Sequence, residues 1–313
     1  MSIINKPHDK FFKETLSDIE TTRDFIKNYL PRELLSVIDL ENLMPQKDSY
    51  IEKELEESFS DILFKTKING EEGYIYFLFE HKSYLSNRIS LQLLKYMIKI
   101  WEQKMNKEKA SKLPMIIPLV IYHGETRWSV AKSLGDIIEG MEKIPKTIRR
   151  HIPDYEYILY DLSPYGDEEI KGSAKLRIFL EILKAIFKED FDEFIETLKR
   201  AFITLEEIDK QEKGIDYFET FVRYIMNARK DLNITDVYDV VKNISLERSE
   251  EIMTIAEQLI KEGMEKGMEK GILEGKRKTA KNFLKLGLTV EQVSEAAELS
   301  IEEVTELKKE IEN

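Results

Sequence analysis

Asp61, Glu80 and Lys82 are the side chains whose types and spacing best suit chemistry on a phosphate ester. In an extended strand residues two apart share a face, so Glu80 and Lys82 project together and His81 points away. Residues 60–68 alternate apolar and polar as a half-buried strand does, and Asn69-Gly70 is a strong hairpin signal. A hairpin symmetric about Gly70 and Glu71 pairs residues whose numbers add to 141, which sets Asp61 directly opposite Glu80. Directly opposed Cβ atoms lie about 4.5–5.5 Å apart, a separation at which two carboxylates can grip one hard divalent cation through oxygen. Such an ion polarises a phosphate and lowers the pKa of a bound water, while the Lys82 ammonium orients that water or stabilises developing charge. A one-residue slip would send Asp61 to the other face. The competing interpretation is an ordinary Glu–Lys pair capping a strand beside an unrelated aspartate.

The elements that must hold these groups follow from periodicity. Residues 8–30 predict one helix, with Phe11, Phe12, Leu16, Ile19, Phe25 and Ile26 at spacings near three and four and Pro31 just beyond. An irregular stretch around Pro45 precedes the hairpin. The returning segment 73–79 is apolar on both faces, as a strand in the middle of a covered sheet is. Residues 86–109 are helical in period, with Leu91, Leu94, Ile98 and Trp101 on one stripe, and 115–122 form a second apolar strand. Strand, long helix and strand make the parallel crossover unit, although Pro118 counts against a central place for the second strand. Residues 155–162 predict a further strand, and the first domain ends near 165.

Residues 173–260 predict amphipathic helices without strands. Glycines then recur at 263, 267, 271 and 275. Each costs a helix about 1 kcal/mol relative to alanine, which leaves close helix–helix approach and a frayed linker as equal alternatives. Gly271…Gly275-Lys276 is not a P-loop, because three residues intervene instead of four, Arg277 replaces Ser or Thr, and no strand precedes it. Thr289…Gln292 and Ser300…Glu303 are capping boxes that predict helices over 290–297 and 301–311 in a helix-turn-helix-like arrangement. Glu302, Glu303, Glu306 and Glu310 make the second helix a poor face for phosphates, so protein contact is favoured over DNA reading there.

A length of 313 residues suggests about two domains. The chain has no cysteine, which excludes disulfides and any Cys-ligated zinc or iron–sulfur site. Four dispersed histidines offer no zinc spacing, and no Gly-x-Ser-x-Gly nucleophile signature occurs. No signal peptide or membrane span is evident, so the expectation is a cytoplasmic protein without membrane contact. The net charge of −12 is unevenly spread: residues 1–165 hold 24 Lys and Arg against 26 Asp and Glu, and residues 166–313 hold 24 against 34. Lys95, Lys99, Lys104, Lys107, Lys109 and Lys112 form a local basic strip suited to phosphate contacts.

Asp61, the hairpin and Glu80-His-Lys82 resemble the core of the PD-(D/E)XK nucleases. His8-Asp-Lys-Phe-Phe-Lys13, Phe79-Glu-His-Lys-Ser83 and Pro118-Leu-Val-Ile-Tyr-His-Gly124 followed by Trp128 resemble the Rpn family of recombination-promoting nucleases, also labelled transposase-like. The likeness extends to the Gly-punctuated tail and covers most of the chain. It implies that Asp61 and Glu80 bind the metal, that the His81 backbone carbonyl assists, and that Lys82 aids the attacking water. Rpn-like sequences often carry Gln at the position of Lys82, so this chain sits closer to the general superfamily pattern. Gln92-Leu-Leu-Lys-Tyr96 matches the Gln-x-x-x-Tyr motif of RecB-type relatives, and residues four apart share a helix face. A solvated glutamine beside a half-buried tyrosine fits the same five residues. Glu14 is a weaker additional ligand, with Asp9 and Asp18 as competitors. His8 and His123 are candidates to line the cleft, and His151 is assigned to the surface.

The expected fold is α/β, a restriction-endonuclease-like mixed sheet flanked by helices and followed by an all-helical C-terminal region. The expected domains are a nuclease domain at 1–165, a helical region at 166–260, and an oligomerisation segment at 261–313. The expected function is metal-dependent DNA endonuclease activity linked to recombination or mobile elements. Asp61, Glu80, Lys82, Gln92 and Tyr96 are the catalytic candidates; Asp61, Glu80 and His81 are the metal candidates. Magnesium is the generic cofactor for carboxylate–phosphate chemistry, and calcium is what the Rpn resemblance implies. The expected partners are DNA and further copies of the chain. The alternative is a non-catalytic nucleic-acid- or protein-binding module that oligomerises through its tail.

Overall fold

The computed structural model describes residues 7–46, 60–80, 87–166, 169–209 and 217–312. They group into two compact units, Met1–Ser249 and Glu250–Asn313.

The first unit opens with two helices where periodicity predicts one, α1 (Pro7–Leu16) and α2 (Ile19–Tyr29). Asp18 causes the break: its carboxylate accepts from the Glu20 N–H and caps α2. A five-stranded sheet follows, ordered β1 (Ile38–Gln46), β2 (Ser60–Ile68), β3 (Glu71–Glu80), β4 (Met115–Tyr122) and β5 (Ile158–Asp161). β1, β2 and β3 pair antiparallel; β3, β4 and β5 pair parallel. The fold is therefore a mixed sheet with flanking helices, followed by a helical C-terminal region. β1 contains Pro45, and its edge position together with a register irregularity between Asp39 and Met44 accommodates the missing N–H. Pro118 lies inside β4, opposite Tyr76, and the ladder with β5 begins one residue later at Leu119.

Helix α3 (Ile89–Glu108) crosses from β3 to β4 and covers one face of the sheet. Its buried stripe is Ile89, Leu93, Tyr96 and Ile100, packed on Leu63, Tyr74, Tyr76, Leu78 and Val120. Leu91 and Ile98, expected on that stripe, are exposed. Both fit a helical period, and only the tertiary partner decides which apolar stripe turns inward. The opposite face is aromatic: Phe77 of β3 has Phe64 at 5.4 Å and Phe25 of α2 at 6.0 Å between ring centroids. Beyond that layer lie α4 (Ala174–Ala185), α5 (Phe191–Asp209), α6 (Tyr217–Ala228) and α7 (Ile234–Lys242). Phe11 of α1 joins two of these helices, stacked 4.2 Å from Tyr224 of α6 and tilted against Phe179 of α4 at 5.3 Å.

Helix α8 (Leu246–Lys285) runs from the first unit into the second and is continuous through all four recurrent glycines. In the second unit its last turns pack with α9 (Val290–Ala297) and α10 (Ile301–Glu312) around Ala280, Val293, Val304 and Leu307. Both capping boxes form, Thr289 with Gln292 and Ser300 with Glu303. Glu310 of α10 pairs with Lys281 at 2.8 Å, so part of the acidic face serves packing within this unit.

Candidate functional site

The Asn69-Gly70 turn sets the geometry. Both residues have positive φ, 51° and 83°, and Ile68 pairs with Glu71 across them. This is the two-residue hairpin loop in which both central residues need left-handed backbone, and asparagine and glycine tolerate it best. The hairpin is therefore centred on Asn69 and Gly70 instead of Gly70 and Glu71. Asp61 lies opposite Leu78, not opposite Glu80 as expected. The correction is a shift of two residues, which preserves parity. Positions 61, 78 and 80 remain on one face, with 61 and 80 as diagonal neighbours. Diagonal pairs are roughly 7–8 Å apart, still within reach of long side chains.

That face is the one covered by α3, because Leu63, Tyr76 and Leu78 share its parity and pack on the helix. Glu80 pairs with Tyr122 and Tyr122 with Asp161, so three strands end in one row at the carboxyl edge. The expected residues His81 and Lys82 lie outside the described residues.

On α3, Gln92 and Tyr96 occupy different settings. Tyr96 is 2% exposed and its ring lies 5.2 Å from that of Tyr76, a core position. The Gln92 side-chain nitrogen is buried without a hydrogen-bond partner among the described residues, an arrangement that typically costs about 1–3 kcal/mol and calls for an explanation. Gln92 and Trp101 are about two and a half turns apart and so lie on opposite flanks of α3. Trp101 donates its indole N–H to the Pro114 carbonyl just before β4 at 2.9 Å. Gln92 consequently occupies the flank toward β2.

The basic strip on α3 needs one correction. Lys104 is only 2% exposed, bonded to Glu72 at 2.9 Å and Glu108 at 2.7 Å, with its ammonium 5.3 Å from the Tyr74 ring centroid. It is a structural cation and offers no surface to phosphates. Burial alone would raise the Glu72 carboxyl, but Lys65 and Lys104 outweigh it and hold Glu72 down at about 2. Burial would lower the Lys104 ammonium, but Glu108, Tyr74 and Glu72 outweigh it and keep it protonated well above its usual range. Lys95 is exposed.

Other candidates have structural tasks. Asp18 caps α2 and pairs with Lys175 at 2.7 Å; Lys175 outweighs burial and holds its carboxyl below the ordinary range. Glu14 is exposed beside Lys10. His151 is exposed, as expected. His8 and His123 meet on the other side of the sheet, their rings 5.1 Å apart. Sequence reasoning missed Asp161, whose carboxylate accepts from the N–H groups of Trp128 and Ser163, both at 2.9 Å. This fixes the loops beside the row, and Trp128 then packs on Tyr122 at 5.0 Å. The signal was the lone acid near the end of an apolar strand. Among the described residues no group of three or more His, Cys, Asp or Glu is placed to hold a metal.

The family described as "Putative transposase, YhgA-like" matches residues 6–213. Recombination-promoting nuclease RpnA of Escherichia coli strain K12 is 30% identical over 258 residues, covering 82% of this chain and 84% of the relative. Recombination-promoting nuclease RpnC of the same strain is 27% identical over 299 residues, covering 95% of each. A third relative from that strain, 27% identical over 84% of each chain, is named "Inactive recombination-promoting nuclease-like protein RpnE". No solved structure matches. The chain belongs to the family described as putative transposases, YhgA-like, some of whose relatives are named recombination-promoting nucleases and others inactive nuclease-like proteins.

Proposed function

We propose that the chain is a divalent-metal-dependent DNA endonuclease acting in recombination or on mobile elements. The observation that carries this reading is the hairpin register, which keeps Asp61 and Glu80 on one face beneath a helix whose Gln92 amide is buried unpaired. Two carboxylates from adjacent strands form a hard oxygen donor set that suits magnesium or calcium. Asp61 and Glu80 would hold the ion, with the His81 carbonyl as a third donor. The chemistry supplied on loading is polarisation of a phosphoryl oxygen and activation of a water. Lys82 would orient an attacking water and stabilise charge on the phosphate, and the Gln92 amide would be a further donor to the same group. Tyr96 supports the helix through Tyr76. With DNA as substrate the setting is cytoplasmic; no described helix is long and apolar enough to cross a membrane.

The test is nicking and linearisation of plasmid DNA with magnesium, with calcium and with EDTA, by wild type, Asp61→Ala and Glu80→Ala. Each variant should lose at least about a hundredfold, the scale expected on removing a group that stabilises the transition state. Equal activity in all three proteins would remove the site.

A second reading is favoured by the relative named inactive and by an exposed stripe on α8. There Met264, Met268 and Ile272 are exposed, and a Cβ on any of the four glycines would meet nothing within 4 Å. In that reading the chain binds nucleic acid or protein without cutting and assembles with further copies through α8. The full chain and one ending at Glu257 should then differ in oligomer number in solution, and equal numbers would exclude assembly through the tail.

A further inference from the structure

The face of the sheet away from α3 ends in a feature that the nuclease reading does not use. A cavity of about 350 Å³ lies beyond the carboxyl ends of β4 and β5, between the segments following them and the end of α4. Open α/β sheets bind ligands beyond the carboxyl ends of their strands, and pockets of about 300–1,000 Å³ suit small molecules. Two motifs that carry the family resemblance converge there from sequence positions far apart. His8 of α1 shares a hydrogen bond with Tyr224 at 3.0 Å and lies 5.1 Å from His123. His123 donates its Nδ1–H to the Leu183 carbonyl at 3.2 Å, and its ring lies 5.3 Å from that of Phe187. A side chain at Gly124 would run into the Tyr122 hydroxyl, so glycine lets this loop fold back at the mouth.

The walls state what fits. Phe187, His123 and Leu162 supply flat and apolar surface, and the Ser163 hydroxyl is buried without a partner among the described residues. The lining counts two lysines, Lys184 and Lys188, against two glutamates, Glu125 and Glu189, and Lys188 is bonded to Glu193 at 2.7 Å. With its charges cancelled the cavity is a poor trap for a bare phosphate. It suits a neutral, planar ring that stacks on one side and exchanges hydrogen bonds at its rim. His123 follows Tyr122, the register partner of Glu80, and adjacent strands are about 4.8 Å apart. The cavity is thus one strand away from the proposed metal site, around the sheet edge.

We propose that this cavity is a nucleobase pocket, which takes one unstacked base of the strand whose phosphate lies at Asp61 and Glu80. It rests on the nuclease reading for the source of the base. Extruding a base is least costly from single-stranded or distorted DNA, and stacking on an aromatic ring tolerates any sequence.

The experiment measures binding of the full-length chain in EDTA, by fluorescence anisotropy, to single-stranded DNA of about 12 nucleotides and to the same backbone made abasic throughout. Wild type should prefer the base-bearing strand by about tenfold, within the range for stacking on one aromatic residue. Phe187→Leu, which keeps apolar volume but removes the flat ring, should abolish most of that preference and leave abasic affinity unchanged. Ser163→Ala should narrow the preference less, and unequally among homopolymers. Equal affinity of wild type for both strands, or a preference untouched by both variants, would overturn the pocket. Displacement of the strand by micromolar deoxynucleoside monophosphate would overturn the assignment to a DNA strand in favour of a free nucleotide. Plasmid cleavage measured alongside separates the two readings: cleavage without base preference removes the pocket alone, and base preference without cleavage removes the nuclease alone.

Discussion

The two faces of the sheet are built from different materials. The face toward α1 and α2 is packed with phenylalanine, and Phe11, Phe12, Phe25, Phe64 and Phe77 are all fully buried. The face toward α3 is packed with tyrosine, a buried lysine and an unpaired amide, through Tyr74, Tyr76, Tyr96, Lys104 and Gln92. Apolar burial is non-directional and stabilises wherever it occurs. Buried polar groups stabilise only when paired, and they fix orientation. The contrast points to a division of labour: the phenylalanine face supplies stability, and the polar groups of the tyrosine face fix orientation, Lys104 where it meets Glu72 near the start of β3 and Gln92 near the start of α3.

Three substitutions break or sharpen that contrast. The largest effect falls on the dry face, where Phe77→Ala should cost about 3–5 kcal/mol, measured by urea unfolding; a cost under about 1 kcal/mol would mean the phenylalanine layer is not the main support. An intermediate effect is expected for Lys104→Met. Charge-assisted bonds contribute about 1.5–3 kcal/mol each at most, and the exposure of Glu72 and Glu108 discounts that. Its signature is in pH dependence. The folded Glu72 carboxyl titrates lower than the unfolded one, so its stabilisation is present above about pH 4.5 and is lost as pH falls toward 2. Lys104→Met should flatten that acid limb, and an unchanged limb would detach Glu72 from Lys104. The least destabilising substitution is Gln92→Leu, which should be neutral or stabilising by up to about 1–3 kcal/mol because an unpaired buried donor is removed. Cleavage should nevertheless fall about tenfold; full activity would make Gln92 a packing residue.

The sequence made some parts legible because their causes are local. β2, β3 and β4 follow from alternation or continuous apolar runs, and the capping boxes of α9 and α10 lie within four residues. β1 was hidden because its pairing is defined by β2 across an irregular register and it contains Pro45. Helix α8 was ambiguous because glycine disfavours helix, yet the Met, Glu and Lys between the glycines favour it strongly enough to carry the segment through. At the candidate site, parity was readable and exact pairing was not, since the turn signal at Asn69-Gly70 was centred one residue too late. Lys104 looked like part of a phosphate-facing strip because nothing in α3 alone reveals Glu72 on β3.

Pro118 has a consequence beyond its own strand. β5 joins β4 only from Leu119 onward, so the opening residues of β4 border no fifth strand, and Met115 is exposed. A bare stretch of strand invites a foreign chain to add on. The exposed part of this flank is confined to Met115, because Ile116 and Ile117 are half-buried and Pro118 is buried. So short a bare edge leaves a foreign chain little to pair with.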